Sequence, residues 1–123
     1  MFKCLPKSVT KELSTWKEPC EAVFEFLSEK HPDSLAKIIE EENLQSSHLT
    51  FAAEHLGAHP NSGKVKKILF PLLLHPDSIV REGAIFGLSS HLDSVVKFKL
   101  LEISKQDESE SVRKIASKII INK

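Results

Sequence analysis

Residues 75–92 read HPDSIVREGAIFGLSSHL, and residues 107–122 read DESESVRKIASKIIIN. Each stretch holds Val-Arg, then an alanine three residues after the arginine, then a large aliphatic four residues after that alanine. Val80 and Val112 are 32 positions apart, as are Arg81 and Arg113, Ala84 and Ala116, and Leu88 and Ile120. One step back from Ala84 reaches Ala52 with Leu56 four residues on, and a further step reaches Cys20 and Phe24. A small residue thus recurs at 20, 52, 84 and 116, and a large apolar one at 24, 56, 88 and 120. Self-similarity at such a period marks an array of equivalent supersecondary units.

The small residue has a physical role. Two helices cross closely only where a side chain is short, so that ridges fit into grooves. A bulky residue four positions later lies on the same face and fills the space beside the crossing. Each unit then holds two helices. The first helices are predicted at 33–42, 62–74 and 93–105, and the second at 45–57, 76–91 and 108–122. A short first helix near 8–16 and a second at 18–30 precede them. Pro76 suits the first helical position with Asp77 in the first turn, where negative charge meets the positive end of the helix dipole. Asp107 and Glu110 have the spacing of a reciprocal N-terminal cap. Asp93 and Ser94 open LDSVVKFKLLEI, and Gly57 before AHPNSG is a stop signal. Pro71 lies inside the apolar ILFPLLLH and is expected to kink that helix rather than end it. No segment alternates with period two for long enough to make a strand.

The totals agree with one helical domain over residues 1–123. The chain is long enough for a single core, and its 41% hydrophobic and 28% charged residues suit a packed protein. Four glycines and no tyrosine argue against a turn-rich all-β chain. Lysine plus arginine (17) equals aspartate plus glutamate (17), so the broad basic field that nucleic acid demands is missing. No apolar run approaches the ~20 residues of a membrane span, and the N-terminal MFKCLPKS does not read as a signal peptide. Cys4 and Cys20 suggest neither a disulfide framework nor a metal pair. The expected location is cytoplasmic.

HPDSIVREGAIFGL and DESESVRKIASKI resemble HEAT repeats, particularly the short HEAT-like type of the phycobilin lyases. The family pattern places an aspartate in the turn between two helices and Val-Arg six residues on. Asp107 and Arg113 match both charged positions. Arg81 matches with His75 in place of the aspartate, and Asn43 and Leu49 replace both in the unit before. The match is good over 60–122, fair over 33–58 and poor before that. The resemblance implies an all-α, α-α superhelix, a short solenoid of about four helical hairpins, and a protein-binding role. It also implies that Arg81 and Arg113 are structural, pairing with turn aspartates to hold unit to unit.

In such a stack the second helices line an extended surface. Positions two before and two after the small residue point roughly away from the core. The first class reads Glu18, Thr50, Glu82, Lys114, and the second Ala22, Glu54, Phe86, Lys118. Five of these eight are charged, acidic or neutral early and basic at the end. The candidate partner-binding residues are therefore Thr50, Glu54, Glu82, Phe86, Lys114 and Lys118. Phe86 has two readings, packing on the neighbouring unit or acting as an exposed aromatic anchor at the centre of a binding face. Gly83 and Gly87, on one side of the same helix, read as sites of close helix approach.

No catalytic, metal or cofactor site is expected. His55 and His59 are four apart beside Glu54, a spacing that holds metals on a helix, but Gly57 and Pro60 end the helix between them. A HEAT-like di-iron hydroxylase uses repeated His-Glu pairs; here the order is reversed and occurs once. His31 and His75 precede Pro-Asp-Ser and read as turn residues. Cys20 at the small core position reads as a buried, inert thiol, and neither cysteine has an evident base to activate it. The acidic runs at 40–42 and 107–110 read as solvated helix ends, and GKVKK at 63–67 as a solvated lysine face. The expectation is a non-catalytic protein that binds another protein, monomeric when free, with no nucleic-acid or membrane partner. An immunity or antitoxin protein is one concrete form. The alternatives are a HEAT-like lyase or metal-dependent enzyme, and a subunit or fragment of a larger assembly, for which the terminal KIIINK is a weak sign.

Overall fold

The second helices begin at Ser46, Ser78 and Glu110, one repeat of 32 apart. These positions come from a computed structural model that describes residues 1–122; Lys123, the last residue of KIIINK, lies outside the described residues. The described residues are all-helical, with no strand. The helices are α1 (Lys7–Glu12), α2 (Glu21–Lys30), α3 (Pro32–Glu41), α4 (Ser46–Leu56), α5 (Ser62–Leu69), α6 (Ser78–Leu88), α7 (Ser94–Gln106) and α8 (Glu110–Ile121), with a 3-10 turn at Pro71–Leu74 after α5. None is long and apolar enough to cross a membrane.

Local sequence explains the boundaries. Asn61 and Asp93, again 32 apart, cap α5 and α7 by accepting from Lys64 N at 3.0 Å and Val96 N at 2.9 Å. Each such bond satisfies an amide that the helix itself cannot. Helix α4 stops at Gly57, as the sequence predicts.

Packing follows the repeat. Helix α4 lies between α2 and α6, and α6 lies between α4 and α8; α3 packs on α4, α5 on α6 and α7 on α8. Ala52, Ala84 and Ala116 are all fully buried, and Leu56 and Leu88 are buried beside them. The core continues through Phe24, Leu27, Leu35, Ile38, Leu69, Ile85 and Leu100. At the N-terminal end Phe2 is buried with its ring 6.2 Å from that of Phe24, and the amides of Lys3 and Cys4 both donate to Glu42 Oε2 at 3.2 Å.

Five local expectations are corrected. Cys20 is not inside a helix at a core position: it is the residue before α2 and is half-buried. Helices α2 and α3 are joined by the single residue His31, so the 32-residue period does not extend to the first unit. Pro71 ends α5 rather than kinking it. It has no N–H to offer the Lys67 carbonyl, and the path continues as a 3-10 turn. Pro76 lies outside α6, and Asp77 is its cap, accepting from Ile79 N at 3.0 Å. Asp107 is likewise outside α8; Ser109 caps that helix, accepting from Val112 N at 3.3 Å.

Candidate interaction face

The contact between α4 and α6 sets the surface above it. A Cβ on Gly83 would meet Thr50, 2.9 Å from its Cα, and one on Gly87 would strike the Ala53 carbonyl and lie 2.7 Å from Leu69 Cδ1. A Cβ on Gly57 would come within 2.6 Å of the Gly87 carbonyl oxygen. The three glycines therefore bring two backbones together where any side chain would hold them apart.

The six candidate residues divide into two groups. Glu54, Phe86 and Lys118 occupy the same repeat position on α4, α6 and α8, and all three are exposed, Phe86 by 42%. Of the two readings of Phe86, the exposed one describes its side chain. Thr50 and Glu82 are half-buried in the seams between second helices. Thr50 Oγ1 donates to the Ile79 carbonyl at 2.6 Å, and Ser111 Oγ donates to Glu82 Oε1 at 3.2 Å. These two bonds are one repeat apart at both ends. The solvated stripe expected for Thr50 and Glu82 is corrected by helix geometry. At 3.6 residues per turn, positions two before and two after the small residue differ by about 40°, and the earlier one turns toward the next helix. Lys114 is exposed and pairs with Glu110 at 3.1 Å; with Lys118, Ser111 and Ile115 it lines a shallow depression on α8. Glu18 lies before α2, and Ala22 is exposed on it.

A further exposed row belongs to the same face. Ser47, Ile79 and Ser111 are again one repeat apart and all exposed, Ile79 by 41%. This row was missed because Ile79 reads as one more apolar residue of a buried helix. It could have been found by stepping 32 positions along the outward side.

Behind the face, Arg81 locks α6 to the next turn. Its Nε and Nη2 donate to the two oxygens of Asp107 at 2.9 and 3.0 Å, and its Nη1 donates to the His75 carbonyl at 2.8 Å. Arg113 makes the equivalent bond to the Asp107 carbonyl. Arg81 is the member that pairs with a turn aspartate, and that aspartate belongs to the following unit.

The histidines serve different partners. His59 is buried with Nε2 2.7 Å from Asp33 Oδ1, whereas His55 Nε2 lies 3.6 Å from Glu21. His31 bonds Glu12 at 2.9 Å, and His75 Nδ1 accepts from the Asp77 amide at 3.0 Å. Among the described residues no three metal-ligating side chains gather. Burial, with Glu42 beside it, pushes the Cys4 thiol up to about 11, so it stays protonated at neutral pH.

A second concavity is a groove of about 320 Å³ between the 3-10 turn and α7. Phe70, Leu73 and Ile103 line it, and Lys99 Nζ sits 4.8 Å from the Phe70 ring centroid. It exists because Pro71 breaks α5, which no spacing in the sequence reveals.

Comparison with known proteins returns no match: no family model, no curated protein and no solved structure matches the chain.

Proposed function

We propose that this chain is a short solenoid of the HEAT-like kind, a non-catalytic protein that binds another protein through the outward face of α4, α6 and α8. The repeat supports the arrangement: second helices start 32 residues apart, and the Thr50–Ile79 contact recurs as Glu82–Ser111. The observation that carries the binding role is the exposure of Phe86 and Ile79 on α6, the helix otherwise most deeply packed. Exposed aromatic side chains at the centre of a polar face are where binding energy concentrates. Covering a toxin as an immunity or antitoxin protein is one concrete form of such a role.

The test is a comparison of the chain with its Phe86→Ala variant as bait in lysate of the native cell, followed by titration of the captured protein. A partner bound by the parent and lost by a folded Phe86→Ala chain is the expected result. Equal capture by both would remove this face from the function.

A further inference from the structure

The outward face is charged in one direction. Glu54 on α4 and Lys118 on α8 sit one repeat before and one repeat after Phe86 on α6, and all three are exposed. Parallel to them run Ser47, Ile79 and Ser111. The face thus has an acidic edge, an apolar middle column and a basic edge. On α2, which packs against the other side of α4, Glu21, Glu25 and Glu29 are also exposed. Glu82 and Lys114 are already engaged within the chain, by Ser111 and Glu110. Glu54 and Lys118 form no ion pair among the described residues.

Such a face is complementary to itself under one operation. Turn a second copy by a half-rotation about an axis that lies in the contact plane and runs parallel to α6. Its α8 then faces α4, its α4 faces α8, and α6 faces α6 at the same level. Each Glu54 meets a Lys118, Phe86 meets Phe86, Ile79 meets Ile79, and Ser47 meets Ser111. A half-rotation about an axis perpendicular to the helices would instead set Glu54 against Ser47. Only the first arrangement pairs the charges, and it is an isologous two-fold contact, the commonest form of association between identical chains.

We propose that the occupant of this face is a second copy of the chain, in a weak two-fold dimer built on Phe86 and Ile79 with two Glu54–Lys118 pairs as its edges. The proposal rests on the reading that this outward face is the binding face, and it departs from the free monomer expected from the sequence. The apolar column supplies the burial, and the charged edges set register and exclude other orientations. A dimer of this kind covers the face that a different partner would use, so the two compete.

Sedimentation of the full chain at low salt, from micromolar to millimolar concentration, tests it. The expected result is a concentration-dependent dimer that raised salt weakens. Glu54→Lys and Lys118→Glu each create two like-charge contacts and should weaken the dimer about tenfold or more. The double variant Glu54→Lys with Lys118→Glu restores both pairs with the signs exchanged and should recover the dimer. Phe86→Ala should weaken it in every background. Circular dichroism of each variant shows that the surface changes leave the helices in place. A chain monomeric throughout, or a dimer indifferent to the single charge changes, overturns the proposal. If a monomeric chain still captures a protein that Phe86→Ala loses, the binding face stands and only its occupant is wrong.

Discussion

The guanidinium of Arg81 grips the carboxylate of Asp107, 26 residues ahead, through two parallel hydrogen bonds, and both side chains are only 8% exposed. A buried pair of this kind costs much when one half is removed, because the other is left charged and unpaired. Asp107→Ala should lower the unfolding free energy by about 3 kcal/mol. Arg81→Met combined with Asp107→Leu should cost less than Asp107→Ala alone. Urea unfolding of the three chains measures this. A double variant as unstable as the single would mean that the pair stabilises the fold rather than merely tolerating burial.

The helix crossings are full. Ala84 is completely buried, and the position of a Cβ on Gly87 is taken by the Ala53 carbonyl and Leu69. Ala84→Leu and Gly87→Ala should each cost ~1–3 kcal/mol by overpacking. For a domain of this size that is a fall in melting temperature of several degrees. Unchanged melting of Ala84→Leu would show that the crossing has room the packing does not reveal.

The Thr50 hydroxyl ties α4 to α6 at the start of their contact, 2.6 Å from the Ile79 carbonyl. Thr50→Val keeps the volume and removes the donor, at an expected cost of about 1 kcal/mol. Thr50→Ser keeps the donor and should retain more of the stability. A chemical denaturation series in which Val is better than Ser would deny the bond its role.

Three aspartates give the fold a response to acid. The His59 and Lys64 side chains hold Asp33 below its ordinary 3.8; the Ile79 amide and Ser46 do so for Asp77, and Lys66 and the Val96 amide for Asp93. All three are depressed in the folded chain, so the unfolded chain takes up protons first as pH falls. Their stabilisation is complete above the ordinary carboxylate value and is lost as pH drops through it toward the depressed ones. Asp33 is exposed and Asp77 and Asp93 are half-exposed at the surface, so each contribution is small. Melting temperature followed from neutral to about pH 2 should decline, and Asp33→Asn with Asp93→Asn should flatten that decline. An identical slope in the variant would place the acid response elsewhere.

Much of the fold was legible in residues 33–122. The alanines at 52, 84 and 116 were found by stepping the sequence, and all three are fully buried. The cap at Asp93 and the stop at Gly57 were readable because they rest on chemistry within a few residues. Boundaries were missed where two local signals competed. Asp77 is the residue directly before α6 and Asp107 stands three before α8, so each helix starts later than proline and acid placement suggest. Cys20 was misplaced because a size match at one period stood in for a helix register that α2 does not share. The α2–α3 joint at His31 leaves no room for the full period.

The face was half legible. Glu54, Phe86 and Lys118 were named from the repeat, and all three emerge exposed. Thr50 and Glu82 were placed on the same stripe, yet they fall into the seams between helices.

By itself the sequence determined the helical class, the 32-residue period from α4 onward and the burial of the alanines that recur at that period, because each follows from side-chain size and spacing along one chain. Only the tertiary structure decided how far each helix is rotated about its axis. That rotation depends on how closely the backbones approach, and at Gly57, Gly83 and Gly87 they approach until nothing larger fits. In the packed helices Thr50 meets the Ile79 carbonyl, Phe86 is exposed, and Glu54 and Lys118 stand on the helices to either side of it, a relation between three helices that no single stretch of chain contains.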